Sequence, residues 1–242
     1  MTNTNVGPLR LAVGSHKAGS GRGCAMNVIS WENGDSRISD MPDCTHPFLS
    51  RVVQRLNDSI CEQRDGGLLC ADCSVIVLGL AHRTVGTADA DPDGRVMVRI
   101  AAEEAQRVAH LNSDPRVQAA IDAALAWADT PTYAAAAAAA AAAGRVVAYA
   151  ATRATHAAAY AAVYAAYAAG RVEQTAVADA ARAARATYAT YAADAAAYAA
   201  AGRVEQTERI IDRFRALTGH DTTAPDPTVT AQAITRMLQV TA

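Results

Sequence analysis

The chain has 242 residues, enough for one or two domains, and 51% of them are hydrophobic; alanine supplies so many of these that a conventional core has to come from the first half. The formal net charge of −2 gives no overall field to attract nucleic acid or an anionic membrane, so neither is an expected partner. An odd number of cysteines, five, and the absence of an apolar leader predict a cytoplasmic protein with free or metal-bound thiols.

The first elements follow from turn and capping signals. They are an extended piece at Leu11–Val13, a glycine-rich loop at Gly14–Gly23, a helix at Cys24–Glu32 and a second helix that begins near Pro47 and runs to about Glu62. Gly34 is expected to end the first helix. Thr45 is expected to cap the second, because a threonine hydroxyl can accept a bond from an amide of the first turn.

An apolar run at Leu68–Leu80 follows, and its period alone does not distinguish a buried helix from a strand; helix is favoured because the rest of the chain is helical. Two amphipathic helices are predicted next, at Arg95–Leu111 and from Pro115 to Trp127. Together these elements predict a compact helical head over residues 1–130.

Residues 131–218 are dominated by alanine, with an unbroken run at Ala134–Ala143. Alanine has the highest helix propensity, so this segment is predicted to form long helices. Three glycines, Gly144, Gly170 and Gly202, punctuate it, and a continuous helix would be about 130 Å long at 1.5 Å per residue. We therefore expect either at least one turn or a rod that packs against copies of itself.

Within this segment the large side chains form one helical stripe, spaced by threes and fours. The stripe consists of Tyr149, Arg153, His156, Tyr160, Tyr164, Tyr167 and Arg171. Tyrosine and arginine are enriched in protein interfaces, so the stripe predicts a protein partner or a homo-oligomer. The same residues could instead pack inside the fold.

The segment ends with an apolar face that includes Ile210, Ile211 and Phe214, which is expected to dock on the head. Gly219 should stop this helix, and residues 219–242 are predicted to form a linker and a short terminal helix at about Thr230–Val240. The predicted fold class is all-α.

Two groups of residues could bind a metal. The first is His16, Cys24, Cys44 and His46, because zinc takes four nitrogen or sulfur ligands and stabilises loop-rich regions. The alternative is a pair of buried thiols with two loop histidines. Zinc is the cofactor that this group predicts.

The second group is Cys61, Cys70 and Cys73, in which Cys70-Ala-Asp-Cys73 has the spacing of both redox pairs and zinc knuckles. Redox chemistry would require a depressed thiol pKa at a helix N-terminus. Neighbouring apolar residues favour small buried side chains instead. The Gly14–Gly23 loop could also cradle an anion, although it lacks the ending of a phosphate-binding P-loop.

Five short stretches together resemble a family of uncharacterised actinobacterial and phage-encoded proteins with alanine-rich C-terminal helices. They are Leu11-Ala-Val-Gly-Ser-His, Gly23-Cys-Ala-Met, Ser39-Asp-Met-Pro-Asp-Cys-Thr-His-Pro47, Asn57-Asp58 and Val85-Gly-Thr87. The resemblance implies no activity. Such relatives carry Glu after Cys-Ala-Met where this chain has Asn27, so a catalytic acid or base at that position would be lost here.

These features predict a non-catalytic helical interaction protein, acting in phage–host biology, that binds a protein partner or itself through the stripe. The alternative is a metal-dependent zinc enzyme that uses the His/Cys group of the N-terminal region, and an open coordination position would identify it. The enzyme is the less favoured of the two.

Overall fold

The computed structural model describes residues 10–14, 16, 20–61, 65–111, 114–150 and 202–220; for residues 111 and 143–150 it describes the backbone alone. Within these ranges all regular secondary structure is helical, which confirms the all-α class. The chain divides into two compact units, Met1–Asp89 with His220–Ala242 and Ala90–Gly219. This division lies within the predicted head.

The first unit contains helices α1 (Ala25–Asn33), α2 (Pro47–Ser59) and α3 (Ala71–His82), which pack against one another. Leu11–Val13 runs beside Gly67–Leu69, since the Leu69 N–H donates to the Leu11 carbonyl at 2.8 Å and the Val13 N–H donates to the Gly67 carbonyl at 2.9 Å. The apolar run of residues 68–80 forms a helix from residue 71 onward, as predicted.

Local signals explain where these helices start and stop. Gly34 ends α1 with φ at 76°, a left-handed conformation that glycine adopts without steric cost. At the start of α2 the cap is His46, whose Nδ1 accepts the Phe48 N–H at 3.3 Å, so the prediction of Thr45 as the cap was wrong. The Thr45 hydroxyl instead bonds to the Ser50 hydroxyl at 2.6 Å.

The core of the first unit is formed by apolar side chains from all three helices and from the extended segments beside them. Its largest members are Leu11, Met26, Ile29, Phe48, Leu49, Leu56 and Leu69. Burying such side chains is the main favourable contribution to the stability of this small unit.

The second unit contains helices α4 (Arg95–Val108), α5 (Pro115–Asp129), α6 (Tyr133–Ala150) and α7 (Arg203–Thr218), with a short 3₁₀ turn at Ala109–Leu111. Helix α4 contacts both α5 and α7, and α5 contacts α6. Trp127, Met97, Ile100, Ile121, Ile211 and Phe214 are buried. Helix α7 therefore docks through the predicted apolar face, and Gly219 ends it with φ at 74°.

Helix α6 uses alanine to pack closely. Ala136, Ala139 and Ala142 are buried, while Ala137 and Ala138 are exposed. The buried positions recur every three residues and so lie along one face of the helix. Gly202 immediately precedes α7 with φ at 120°, so it lies outside the start of that helix.

Two ion pairs connect α7 to α4. Glu104 accepts two bonds from the Arg209 guanidinium, at 2.9 and 2.8 Å, and Glu103 accepts two from Arg213, at 2.9 and 2.7 Å.

Among the described residues, every helix is too short or too polar to cross a membrane.

Candidate functional site

The four residues first predicted to bind metal lie in the first unit, and each has another structural role. Cys24 is buried and immediately precedes α1; its Sγ lies 3.5 Å from Oδ1 of Asp40, and burial raises its pKa to about 12. His16 is partly buried, with Nε2 3.0 Å from the Val13 carbonyl oxygen. These contacts hold Cys24 and His16 in place within the first unit.

Cys44 and His46 are tied to the segment that follows α3. The Cys44 carbonyl accepts the Gly86 N–H at 2.8 Å, and the His46 N–H donates to Oγ1 of Thr87 at 3.0 Å. Burial, helped by the negative charges of nearby aspartates, raises the pKa of Cys44. The structure does not bring the four predicted side chains together, since no three of their ligand atoms lie within 4.8 Å of one another.

The stretches that carry the family resemblance contact one another inside the first unit. Asn57 donates to the Ala12 carbonyl at 2.9 Å and accepts the Ala25 N–H at 3.3 Å, while Asp58 accepts the Gly14 N–H at 2.8 Å. Asn27 donates to Asp40 at 2.9 Å, a bond that a glutamate carboxylate in its place could not donate. These contacts give the stretches a structural role.

The described part of the glycine-rich loop does not form an anion cradle. The Gly14 amide is occupied by the Asp58 carboxylate, and the Cys24 amide at the start of α1 donates to Asn27 Oδ1 at 3.1 Å. Beside this loop lies a cleft of about 490 Å³ lined by His16, Ser36, Arg37, Ile38, Ser39, Asp40 and Asp43. Its side chains carry charges of both signs, so the cleft favours no single class of ligand.

The second cysteine group forms a cluster, which we call the thiol cluster: Cys61, Cys70 and Cys73. Their Sγ atoms all lie within 4.8 Å of one another, and within the described ranges this is the only such group of histidine, cysteine and acidic side chains. Cys61 follows the end of α2, Cys70 caps the start of α3, and Cys73 lies in the first turn of α3. The packing of α2 against α3 brings them together.

Backbone amides point at the sulfurs of the thiol cluster. The Cys70 N–H donates to Sγ of Cys61 at 3.3 Å, and the Cys73 N–H donates to Sγ of Cys70 at 3.4 Å. Cys61 is buried, with 3% of its surface exposed, whereas Cys70 and Cys73 are partly exposed. Sulfurs that accept amide bonds are suited to carry negative charge, as metal-bound thiolates do.

The two thiols on α3 differ in acidity. The hydrogen bond from the Cys73 amide lowers the pKa of Cys70, which also lies at the positive end of the helix. Burial, followed by the hydrogen bonds to the neighbouring thiols, raises the pKa of Cys73 to about 12. The condition that the sequence set for redox chemistry, a lowered thiol pKa at a helix start, is therefore met at Cys70.

Sequence reasoning placed zinc on the other group because two of its members adjoin a helix start. The Cys-x-x-Cys spacing, together with a third cysteine at the end of the predicted second helix, was the signal for the thiol cluster. The apolar residues that flank Cys70 and Cys73 favoured the interpretation that these cysteines are small buried side chains. Leu69 is fully buried and Val77 is buried, yet the cysteines between them lie at the edge of that core.

Six of the seven residues of the predicted interaction stripe, those from Arg153 to Arg171, lie outside the part of the chain that the structure describes. Tyr149 belongs to the described backbone of α6 only. The interaction function therefore stays a prediction.

Comparisons with known proteins found no match to the chain among family models, curated proteins or solved structures.

Proposed function

We propose that the protein binds a zinc ion through Cys61, Cys70 and Cys73, and that the ion fastens the connection between α2 and α3. The observation that carries this proposal is the mutual approach of three Sγ atoms within 4.8 Å. Clusters of thiolates favour soft or borderline metals such as zinc. Structural zinc takes four ligands, so a fourth ligand would complete the coordination that the three thiolates begin.

The distances fit this chemistry. With zinc–sulfur bonds of about 2.3 Å, the sulfurs of a tetrahedral site lie about 3.8 Å apart. None of the three sulfur–sulfur distances exceeds that value by more than about 1 Å, since all lie within 4.8 Å. The amide bonds to Cys61 and Cys70 would remain as outer contacts that orient the ligands.

The placement of the cysteines supports a structural role for the metal. Eight residues separate Cys61 from Cys70, and two more separate Cys70 from Cys73. One ion would therefore close the whole α2–α3 connection, which also contains Gly66 and Gly67 in left-handed conformations. A ligand set confined to the folded state adds its binding free energy to the stability of the first unit.

Metal content of the full-length protein, purified under reducing conditions, tests the proposal. We expect one zinc per chain, and cobalt substitution should give the strong sulfur-to-metal charge-transfer absorption of a thiolate site. Zinc binding should weaken by at least about tenfold in each of Cys61→Ser, Cys70→Ser and Cys73→Ser, because each replacement removes one of the three proposed ligands.

The matched control is the double replacement Cys24→Ser with Cys44→Ser, which leaves the thiol cluster intact and alters the site first predicted from the sequence. It should bind zinc like the wild type. If this variant loses the metal while the three cluster variants keep it, the zinc lies at the other group. A wild-type protein with no thiolate-to-cobalt absorption would refute the proposal.

A further inference from the structure

We infer that the metal-free protein carries out thiol–disulfide exchange, with Cys70 as the attacking thiol and Cys73 as the resolving thiol. This inference goes beyond zinc binding and does not depend on it. It stands on the position of Cys70 at the start of α3, on the neighbouring Cys73 thiol, and on the surface beside them.

The geometry distinguishes the roles of the three thiols. Cys70 is partly exposed, so a substrate can reach its sulfur, whereas Cys61 is buried. The Cys73 N–H points at Sγ of Cys70 at 3.4 Å, which favours negative charge on the attacking sulfur. Cys73 lies three residues further along the same helix, with its Sγ within 4.8 Å of that of Cys70.

The surface next to the dithiol indicates the class of substrate. Ile76, a large apolar side chain in the following turn of α3, is 42% exposed. It lies three residues after Cys73 and so on a neighbouring part of the same face, whereas Val75, two residues after Cys73, lies on another face. An accessible disulfide flanked by apolar residues in a peptide would contact Ile76 while its sulfur meets Cys70.

The exchange proceeds in two balanced steps. The Cys70 thiolate attacks one sulfur of the substrate disulfide; a sulfur–sulfur bond forms, the substrate bond breaks, and the second substrate sulfur leaves with the electron pair. The Cys73 sulfur then attacks Sγ of Cys70 and releases the first substrate sulfur. The protons of the two protein thiols end on the two substrate thiols, so the substrate gains two electrons and the protein gains a Cys70–Cys73 disulfide.

Zinc and the disulfide need the same sulfurs, so exchange belongs to the metal-free form. The oxidised protein retains only Cys61 as a cluster thiol. Zinc binding and exchange are therefore measured on separate samples, reduced protein with zinc and reduced protein treated with a chelator. If the protein binds no zinc, the exchange can still be measured, and if it does not exchange, zinc binding can still be measured.

The test uses chelator-treated, reduced full-length protein and a disulfide-linked peptide pair with apolar residues beside the cysteines. Peptide mapping of the wild type should show a Cys70–Cys73 disulfide and two peptide thiols released. In Cys73→Ser a mixed disulfide should accumulate on Cys70. In Cys70→Ser exchange should slow by at least about tenfold, and because serine is a favoured helix cap, α3 keeps its start.

The double replacement Cys24→Ser with Cys44→Ser leaves all three thiols of the cluster in place, so it is the matched control and should keep the exchange. A disulfide that joins Cys61 to either other cysteine, or Cys70→Ser and Cys73→Ser proteins that exchange like the wild type, would overturn the inference. Oxidised glutathione serves as the second substrate and should react more slowly than the apolar peptide. Equal rates, or a preference unchanged in Ile76→Ser, would overturn the assignment of a substrate with apolar residues beside its disulfide.

Discussion

Replacing Glu104 by alanine should destabilise the second unit strongly, because this buried carboxylate holds α7 on α4. Its side chain is 5% exposed and accepts two bonds from Arg209. It also accepts a bond from Nε2 of Gln206 at 3.1 Å. Alanine would leave these donors facing an apolar methyl group, so the variant loses an acceptor for each of them.

The magnitude follows from burial. Breaking a fully buried ion pair costs about 3–5 kcal/mol, but the Arg209 side chain is 36% exposed, and water can partly replace the lost carboxylate. Gln206 is buried and adds about 1 kcal/mol for an amide left without this acceptor. We expect the free energy of unfolding to fall by about 2–4 kcal/mol in all.

The same two helices provide a matched control in the pair Glu103–Arg213. Its two bonds are as short, but its side chains are 31% and 44% exposed. Water and salt screen such a pair, so Glu103→Ala should cost at most about 1 kcal/mol. The two carboxylates thus differ in burial while their geometry is alike.

Urea unfolding of the full chain measures both effects through Trp127, which is buried in the second unit, with Trp31 replaced by phenylalanine. Double-mutant cycles should give a coupling of about 1.5–3 kcal/mol for Glu104–Arg209 and below about 1 kcal/mol for Glu103–Arg213. Equal couplings, or a Glu104→Ala variant within about 0.5 kcal/mol of the parent, would refute the argument from burial.

Four further predictions concern buried residues of the two units. Asp91→Ala should lower the free energy of unfolding by about 1–2 kcal/mol, because the buried carboxylate accepts the Val96 N–H at 3.0 Å and the Met97 N–H at 2.9 Å. Urea unfolding measures this loss, with Asp93→Ala as the variant for comparison. Burial raises the pKa of Asp91, so the folded state holds this proton more tightly than the unfolded state, and stability should fall as pH rises from about 4 through the folded value. Asp91→Asn should remove that fall. If the free energy of unfolding has the same slope against pH in Asp91→Asn and in the parent, Asp91 is not the group responsible. Asn57→Ala should cost about 2–3 kcal/mol, since two buried backbone groups lose their partner, and a change below about 0.5 kcal/mol in thermal unfolding would count against it. Ala139→Leu should lower the free energy of unfolding by about 1–3 kcal/mol, because the larger side chain overpacks against α5. Ala138 is exposed, so Ala138→Leu should leave the melting temperature unchanged. If Ala138→Leu were the more destabilising of the two, the inward face of α6 would be the other one.

The sequence alone determined where most helices lie, because helix ends depend on nearby residues. Gly34 and Gly219 end their helices in the left-handed conformation that glycine adopts easily. Helix α5 begins at Pro115 as predicted, and the carboxylate of the preceding Asp114 accepts the Arg116 N–H at 2.9 Å. Alanine propensity likewise accounts for the described part of α6.

Only the tertiary structure decided which cysteines meet. Spacing in the chain placed Cys24 near Cys44 as plausibly as Cys61 near Cys70, because a loop can return to many positions at similar entropic cost. The packing of α2 on α3 selected the second arrangement, and burial against Asp40 gave Cys24 another role. Side-chain convergence depends on how helices pack, and helical periodicity within one segment carries no information about the segment it meets.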